Sequence, residues 1–388
     1  MRANLVKFSS ILLYLLPAAL ISGPLIADII LSVIALIFIF LSVRERLWKY
    51  YKNNFFYIFS AFYFYILFRT LLSEDSSLAL TNSLFYFRFG IFSLAVWYLI
   101  DNNSDLIKKF FFFLSITLFI LIFDAFIQII FGQNLFGMEM DSGMGWRYSG
   151  LFGDEAILGS YLSKILPLYL ATMFFSNIKT KFLNYIFFAI FVFGFGLIYM
   201  SGERTAFFVT LITFIVIFIM LEEKKIKIIF GTFLISGALL IIGSSIVNKD
   251  FKTRMIDQTL EQIGVMDKNF KFFSTAHQSH YQISMNMFWD NPVFGKGPKT
   301  FRKYCSDKRF KVEFEASCST HPHNYYVQML AETGLLGFTF LVLAFFYVCK
   351  EYFLHKFNSL FHKKKYLSDY EILLLSCFFI SLWPIAPS

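Results

Sequence analysis

The sequence predicts an all-α polytopic membrane protein of about eleven transmembrane helices, with one large external loop between the ninth and the tenth. Three observations lead there. Hydrophobic residues make up 57% of the chain and phenylalanine alone fills 55 of 388 positions, above the roughly 45–50% apolar share of soluble domains. Apolar runs long enough to cross a hydrocarbon core of roughly 30 Å recur from end to end. Lys and Arg collect in alternate short breaks between these runs, as loops retained on the cytoplasmic side do.

In order, the expected spans are 8–22, 25–43, 55–72, 80–99, 110–131, 156–175, 182–200, 205–221, 228–247, 323–349 and 370–384. Pro17, Gly23 and Pro24 interrupt the first apolar stretch, which reads either as two helices or as one long anchor. The last span runs out at PIAPS without a polar flank, so a twelfth helix is expected in a longer chain. The domain plan is membrane helices in 1–247, a large loop in 248–322, and two further helices in 323–388. Within the loop, 257–266 and 280–289 have helical spacing, and the turn-rich NPVFGKGP at 291–298 marks a structured lid.

The short loops divide into two sets. One holds Arg44, Arg46, Lys49 and Lys52, then Lys108 and Lys109, Lys179 and Lys181, Lys224, Lys225 and Lys227, and finally Lys350, Lys356, Lys363, Lys364 and Lys365; these loops are expected in the cytoplasm. The other set, 73–77, 133–153 and 201–205, carries only Arg147 and Arg204, and is expected outside or in the periplasm. Loop 248–322 falls on that outer side despite its basic residues, because long translocated segments escape the charge rule. Cys305 and Cys318 both lie there, where an oxidising compartment lets them pair. Cys349 and Cys377, in apolar runs, read as packing residues.

Charges at bilayer depth are costly and so mark sites. Arg88, Arg69, Asp124 and Lys164 are the candidates, and Arg88 is the most central. Its functional reading competes with a structural ion pair to Asp124. Arg204, in SGERTA, stands at an external mouth where a guanidinium can grip a phosphate in bidentate fashion; Glu203 is its competing partner. His323 follows Pro322, and since proline favours the first helical position, the imidazole is expected in the first turn of the tenth span. The positive helix end there disfavours imidazolium and attracts an anionic diphosphate. His321 is an alternative base or a helix cap. His277, His280, His321 and His323 together supply four nitrogens, but the two pairs stand about forty residues apart with no Cys pair or HExxH motif, so no metal site is expected. Phosphate loops, dinucleotide fingerprints and nucleophile elbows are absent from the sequence.

The HN pair at 323–324, nine residues, and GLLG at 334–337 resemble the signature of bacterial O-antigen ligases and related polysaccharide polymerases. NPVFGKGPKTF at 291–301 and RTA at 204–206 are similar to that family as well, as is the single large external loop. The resemblance implies a membrane-embedded, metal-independent, inverting glycosyltransferase without cofactors, working on the periplasmic face of the bacterial inner membrane. It implies a glycan donor linked to undecaprenyl diphosphate, an acceptor hydroxyl on the lipid A core or another glycan, contact with membrane lipids, and no nucleic acid. On this sequence the family's essential histidine falls on His323 and its arginine at a span mouth on Arg204. Where the family has a second arginine, about fifteen residues before the NP segment, this chain has His277; His277 or His280 is expected to replace that diphosphate contact as a hydrogen-bond donor, or Arg302 to reach in from the far side of the turn, with Arg88 adding charge and His321 a further donor-side candidate. A polymerase or a protein O-oligosaccharyltransferase keeps the same chemistry with another acceptor. A transporter or flippase, with Arg88, Asp124 and Lys164 lining a path, predicts internal symmetry that the sequence does not display.

Overall fold

A computed structural model describes residues 1–139, 147–176, 178–262, 273–312 and 318–385. The chain is an all-α membrane protein. Its helices are α1 Arg2–Ile21, α2 Pro24–Glu45, α3 Asn54–Leu71, α4 Ser76–Ser83, α5 Phe87–Asn102, α6 Leu106–Phe131, α7 Leu158–Ser176, α8 Lys181–Met200, α9 Arg204–Met220, α10 Lys224–Val247, α11 Lys249–Lys252, α12 Gln258–Gln262, α13 Thr275–Asp290, α14 Phe301–Tyr304, α15 Tyr325–Phe357 and α16 Asp369–Ser381.

Eleven apolar elements follow the expected order. Among the described residues nine are long and apolar enough to cross a membrane, with α4 and α5 counting as one broken span. The two shorter ones are α9, of 17 residues, and α16, of 13. The first apolar stretch is two helices. Pro24, which needs no amide partner, opens α2, and Gly23 turns the chain at φ 113°. Asn53 and Asp75 accept from backbone amides at the starts of α3 and α4, and Ser368 with Glu371 forms a capping box on α16.

The main core lies where α6, α7, α8, α9 and α10 meet, around Phe111, Tyr169, Phe191, Phe214 and Phe230. A second cluster packs α1 and α2 against α5. The two sets of loops separate to opposite ends. At one end Glu74 meets Lys296 at 3.2 Å, Asp75 meets Lys303 at 2.6 Å, and the Tyr148 amide donates to Ser201 at 3.4 Å. At the other, Tyr50 donates to Asp101 at 2.7 Å and the Glu223 amide to Asp369 at 2.9 Å.

Of the loop helices expected, 280–289 lies inside α13. The 257–266 stretch is a π-helical turn, Thr253–Asp257, followed by α12, and its part beyond 262 lies outside the described residues. Cys305 and Cys318 are bonded, with Cα atoms 4.9 Å apart.

Candidate functional site

The site is organised by a break in α15. Gly334 stands at φ 62° and ψ −168°, so a short segment, 325–333, is set off from the rest of the helix. Such a break strands backbone groups that need partners, and NPVFGKG supplies them. The Leu335 amide donates to Pro292 at 2.9 Å, while Lys296 and Gly297 donate to the Ala331 and Glu332 carbonyls at 2.9 and 2.8 Å. Two buried charges clamp the same loop. Arg69, at the end of α3, donates to the Phe294 carbonyl at 2.7 Å and to Gly295 at 2.5 Å. The Glu332 carboxylate accepts from the Lys299 and Phe301 amides at 2.9 and 3.1 Å. Arg69, a candidate by its depth in the membrane, is thus occupied in holding backbone.

Directly before α15, Asn324 is the helix cap: its side-chain oxygen accepts from Tyr326 and Val327 at 2.9 and 3.1 Å, and its amide donates to the Pro384 carbonyl at 2.9 Å. His323 therefore lies one residue outside the helix, at φ 58°, and not in the first turn as Pro322 had led us to expect. The cap, not the proline, sets where the helix begins. Placed there, the imidazole turns toward α13, on which His277 and His280 share a face at i, i+3 spacing. Ring centroids of His277, His280 and His321 stand 5.8, 5.5 and 4.2 Å from that of His323. The Ser319 hydroxyl lies 3.3 Å from His323 Nε2, and Ser274 lies 2.7 Å from His277 Nδ1. Although four rings meet, no three His, Cys, Asp or Glu side chains among the described residues are arranged to hold a metal ion.

Electrostatics differ from one ring to the next. Burial, then the neighbouring His323 and His280, then Arg204 and Arg147 push His277 down to about 4. His321 is lowered by burial, by His323, and by Arg302. Arg204 and Arg147 thus act on His277 and Arg302 on His321, with the His323 ring lying near both.

Arg204 opens α9, with Glu203 just before it turned away. That carboxylate caps α7 instead, accepting from the Gly159 amide at 2.5 Å and the Ser160 amide at 3.0 Å, and burial raises it above the usual range. Arg204 donates to Gln262 at 2.8 Å and Thr259 at 3.4 Å, both on α12. Arg254 joins it, donating to Gln258 at 3.0 Å; burial and the charges of Arg204 and Arg147 lower it to about 10. Neither Arg204 nor Arg254 has an ion-pair partner among the described residues.

The structure does not bring every expected residue here. Arg88 pairs with Asp28 of α2 at 2.9 Å, so the ion pair with Asp124 is not formed. Asp124 is fully buried and accepts from the Leu135 amide at 3.0 Å, and Lys164 is exposed. Arg302 lies on α14, where its charge helps to lower His321.

Two site residues were missed from sequence. Arg147 carried a signal, as one of only two cations in the short loops of its side. Arg254 carried none, standing among Lys249, Lys252 and other loop charges.

Residues 189–342 match the family model described as O-Antigen ligase, a segment that runs from α8 through Arg204, Arg254 and the histidines into α15. No curated protein matches the chain. By that match residues 189–342, which span the broken helix, its docked loop and the imidazole cluster, are similar to the O-antigen ligase family.

Proposed function

We propose that this glycosyltransferase-like membrane protein moves a glycan from undecaprenyl diphosphate to an acceptor hydroxyl, the lipid A core or another glycan, at the periplasmic face of the inner membrane. The observation that carries the reading is the convergence of His323 and His277 with Arg204 and Arg254 at one end of the bundle. Two guanidiniums that share α12 and have no ion-pair partner among the described residues call for an anion of more than one charge, and a diphosphate matches.

In this reading the His323 imidazole takes the proton of the acceptor hydroxyl as that oxygen bonds to the anomeric carbon. The bond from that carbon to the diphosphate oxygen breaks, and its electron pair leaves on the diphosphate. Displacement from the opposite face inverts the anomeric centre. Arg204 and Arg254 meet the charge that grows on the leaving group, and His277, kept neutral by its surroundings, offers a hydrogen bond there.

The test is transfer by purified protein from a lipid-linked glycan to candidate acceptors. His323→Ala and Arg204→Ala are expected to insert normally and to lose about a hundredfold to a thousandfold in rate. Transfer near the wild-type rate by either variant removes the role given to that residue. Ligase and polymerase separate in a deletion strain: full-length lipid-linked glycan accumulates in the first case, single repeats in the second.

A further inference from the structure

Away from the imidazole cluster, at the end of the bundle where the lysine-rich loops gather, α9 and α10 border an open groove of about 420 Å³. Lys224, Lys227, Ile228, Gly231 and Ile235 of α10 line it, with Phe218 of α9 opposite. The α10 residues recur at intervals of three and four, so they share one face of the helix. Two ammonium groups stand at one end of that stripe and alkyl groups lie beyond them. At about 1.5 Å per residue the stripe is roughly 16 Å long, about half the thickness of a hydrocarbon core.

Lys227 does not simply reach for water, as a lysine near the end of a span can. Its Nζ crosses to the end of α9, donating to the Leu221 carbonyl at 3.3 Å, and stands 5.0 Å from the centre of the Phe218 ring. Both partners are uncharged, so they place the ammonium over the groove without neutralising it. The nearby Glu222 carboxylate meets His355 instead, at 3.5 Å, and neither Lys224 nor Lys227 has an ion-pair partner among the described residues. Further along, the walls are apolar: Ile228 and Ile235 are exposed, and the Thr232 hydroxyl is occupied by the Ile228 carbonyl at 3.0 Å. Gly231 keeps the floor low. Glycine is unfavourable inside a helix, and here a Cβ would meet the Phe218 ring at 3.4 Å.

We propose that this groove binds an anionic phospholipid of the adjoining leaflet, with its phosphodiester between Lys224 and Lys227 and an acyl chain lying along Gly231 toward Ile235. A soluble anion would use the lysines and leave the apolar stripe bare, and a neutral lipid would do the reverse. An amphiphile with a negative head uses both. Each basic residue near a membrane surface raises affinity for anionic lipid about fivefold, so the pair favours it by roughly thirtyfold. Such binding is independent of the transfer reaction, but it bears on the same helices. Arg204 opens α9 at its other end, and α10 leads through α11 to the turn that carries Arg254.

The experiment is native mass spectrometry of the full chain in detergent, titrated with dioleoylphosphatidylglycerol or with dioleoylphosphatidylcholine. Wild-type protein is expected to retain one phosphatidylglycerol and to prefer it at least about tenfold over phosphatidylcholine. Lys224→Gln with Lys227→Gln should lose that preference, whereas Lys225→Gln, which removes the same charge beside the stripe, should keep it. Gly231→Leu should fill the groove and release the lipid, while thermal unfolding in lipid-free detergent stays near wild type. Equal retention of the two lipids by wild type, or an unaltered preference in the double lysine variant, overturns the site. A loss in Lys225→Gln as large as in the double variant makes the attraction one of general surface charge and overturns it as well. Retention of the lipid by Gly231→Leu, or its displacement by glycerol 1-phosphate, overturns the place given to the acyl chain.

Discussion

Gly295 and Gly334 meet backbone to backbone. A Cβ on Gly295 would stand 2.5 Å from the Gly334 amide nitrogen, and a Cβ on Gly334 would stand 2.3 Å from the Val293 carbonyl oxygen. Both residues also have positive φ, 68° and 62°. The two glycine-bearing runs, at 291–298 and 334–337, are therefore halves of one joint, in which a broken helix and a docked loop satisfy each other's hydrogen bonds.

Gly334→Ala and Gly295→Ala should each weaken that joint by at least about 2 kcal/mol, from backbone strain and overpacking together. Amides at 291–301 should exchange faster and transfer should fall, with the other helices unaffected. Wild-type exchange in that segment would show that the joint tolerates a methyl group and that close approach is not why glycine stands there.

Arg69→Met leaves the Phe294 and Gly295 carbonyls without their charged donor. A buried acceptor left unmade costs about 1–3 kcal/mol, so local exchange at 293–297 should rise. Arg69→Lys should recover part of it, since an ammonium reaches one carbonyl but lacks the planar fork. Equal exchange in wild type, Met and Lys variants would refute the clamp.

Asn324→Ala removes the cap of α15, a loss of about 1 kcal/mol, together with the anchor to the Pro384 carbonyl. Because His323 owes its position outside the helix to this cap, the expected effect is larger on kcat than on stability. A variant with slightly reduced stability and unchanged kcat would show that the imidazole is positioned by other contacts.

Burial, then the charges of His323, His280, Arg204 and Arg147, push His277 down to about 4 in the folded protein, against 6.5 for an ordinary imidazole. Above pH 6.5 both folded and unfolded states hold it neutral. Between 6.5 and about 4 only the unfolded state takes up the proton, so stability is lost as pH falls through this window and levels off below it. Exchange protection of α13 should decline accordingly, and His277→Asn should flatten the decline. An identical pH profile in the variant would show that this ring does not cause the decline.

The membrane architecture was legible because each span reports itself. A run of about 20 apolar residues needs no partner elsewhere in the chain to be recognised, and the alternation of lysine-rich breaks sorted the loops into the two sets that gather at opposite ends. Span ends were less legible: the run starting at Leu80 is broken into α4 and α5, and the helix after Pro322 begins only at Tyr325, where Asn324 caps it. The residues of the HN and NPVFGKG runs could be picked out, but what they do to each other could not.

Sequence by itself determined that the chain threads a bilayer repeatedly, that Cys305 and Cys318 share one side of it, and that histidine and arginine stand where helices begin. Only the tertiary structure decided which of them meet. It joined His277 and His280 to His321 and His323 across about forty residues, recruited Arg254, gave Glu203 to α7, and paired Arg88 with Asp28 rather than Asp124. The reason is physical: hydrophobic length and local charge are properties of a segment, whereas a side-chain encounter depends on how a helix is broken and what docks into the break, and that leaves no period along the chain.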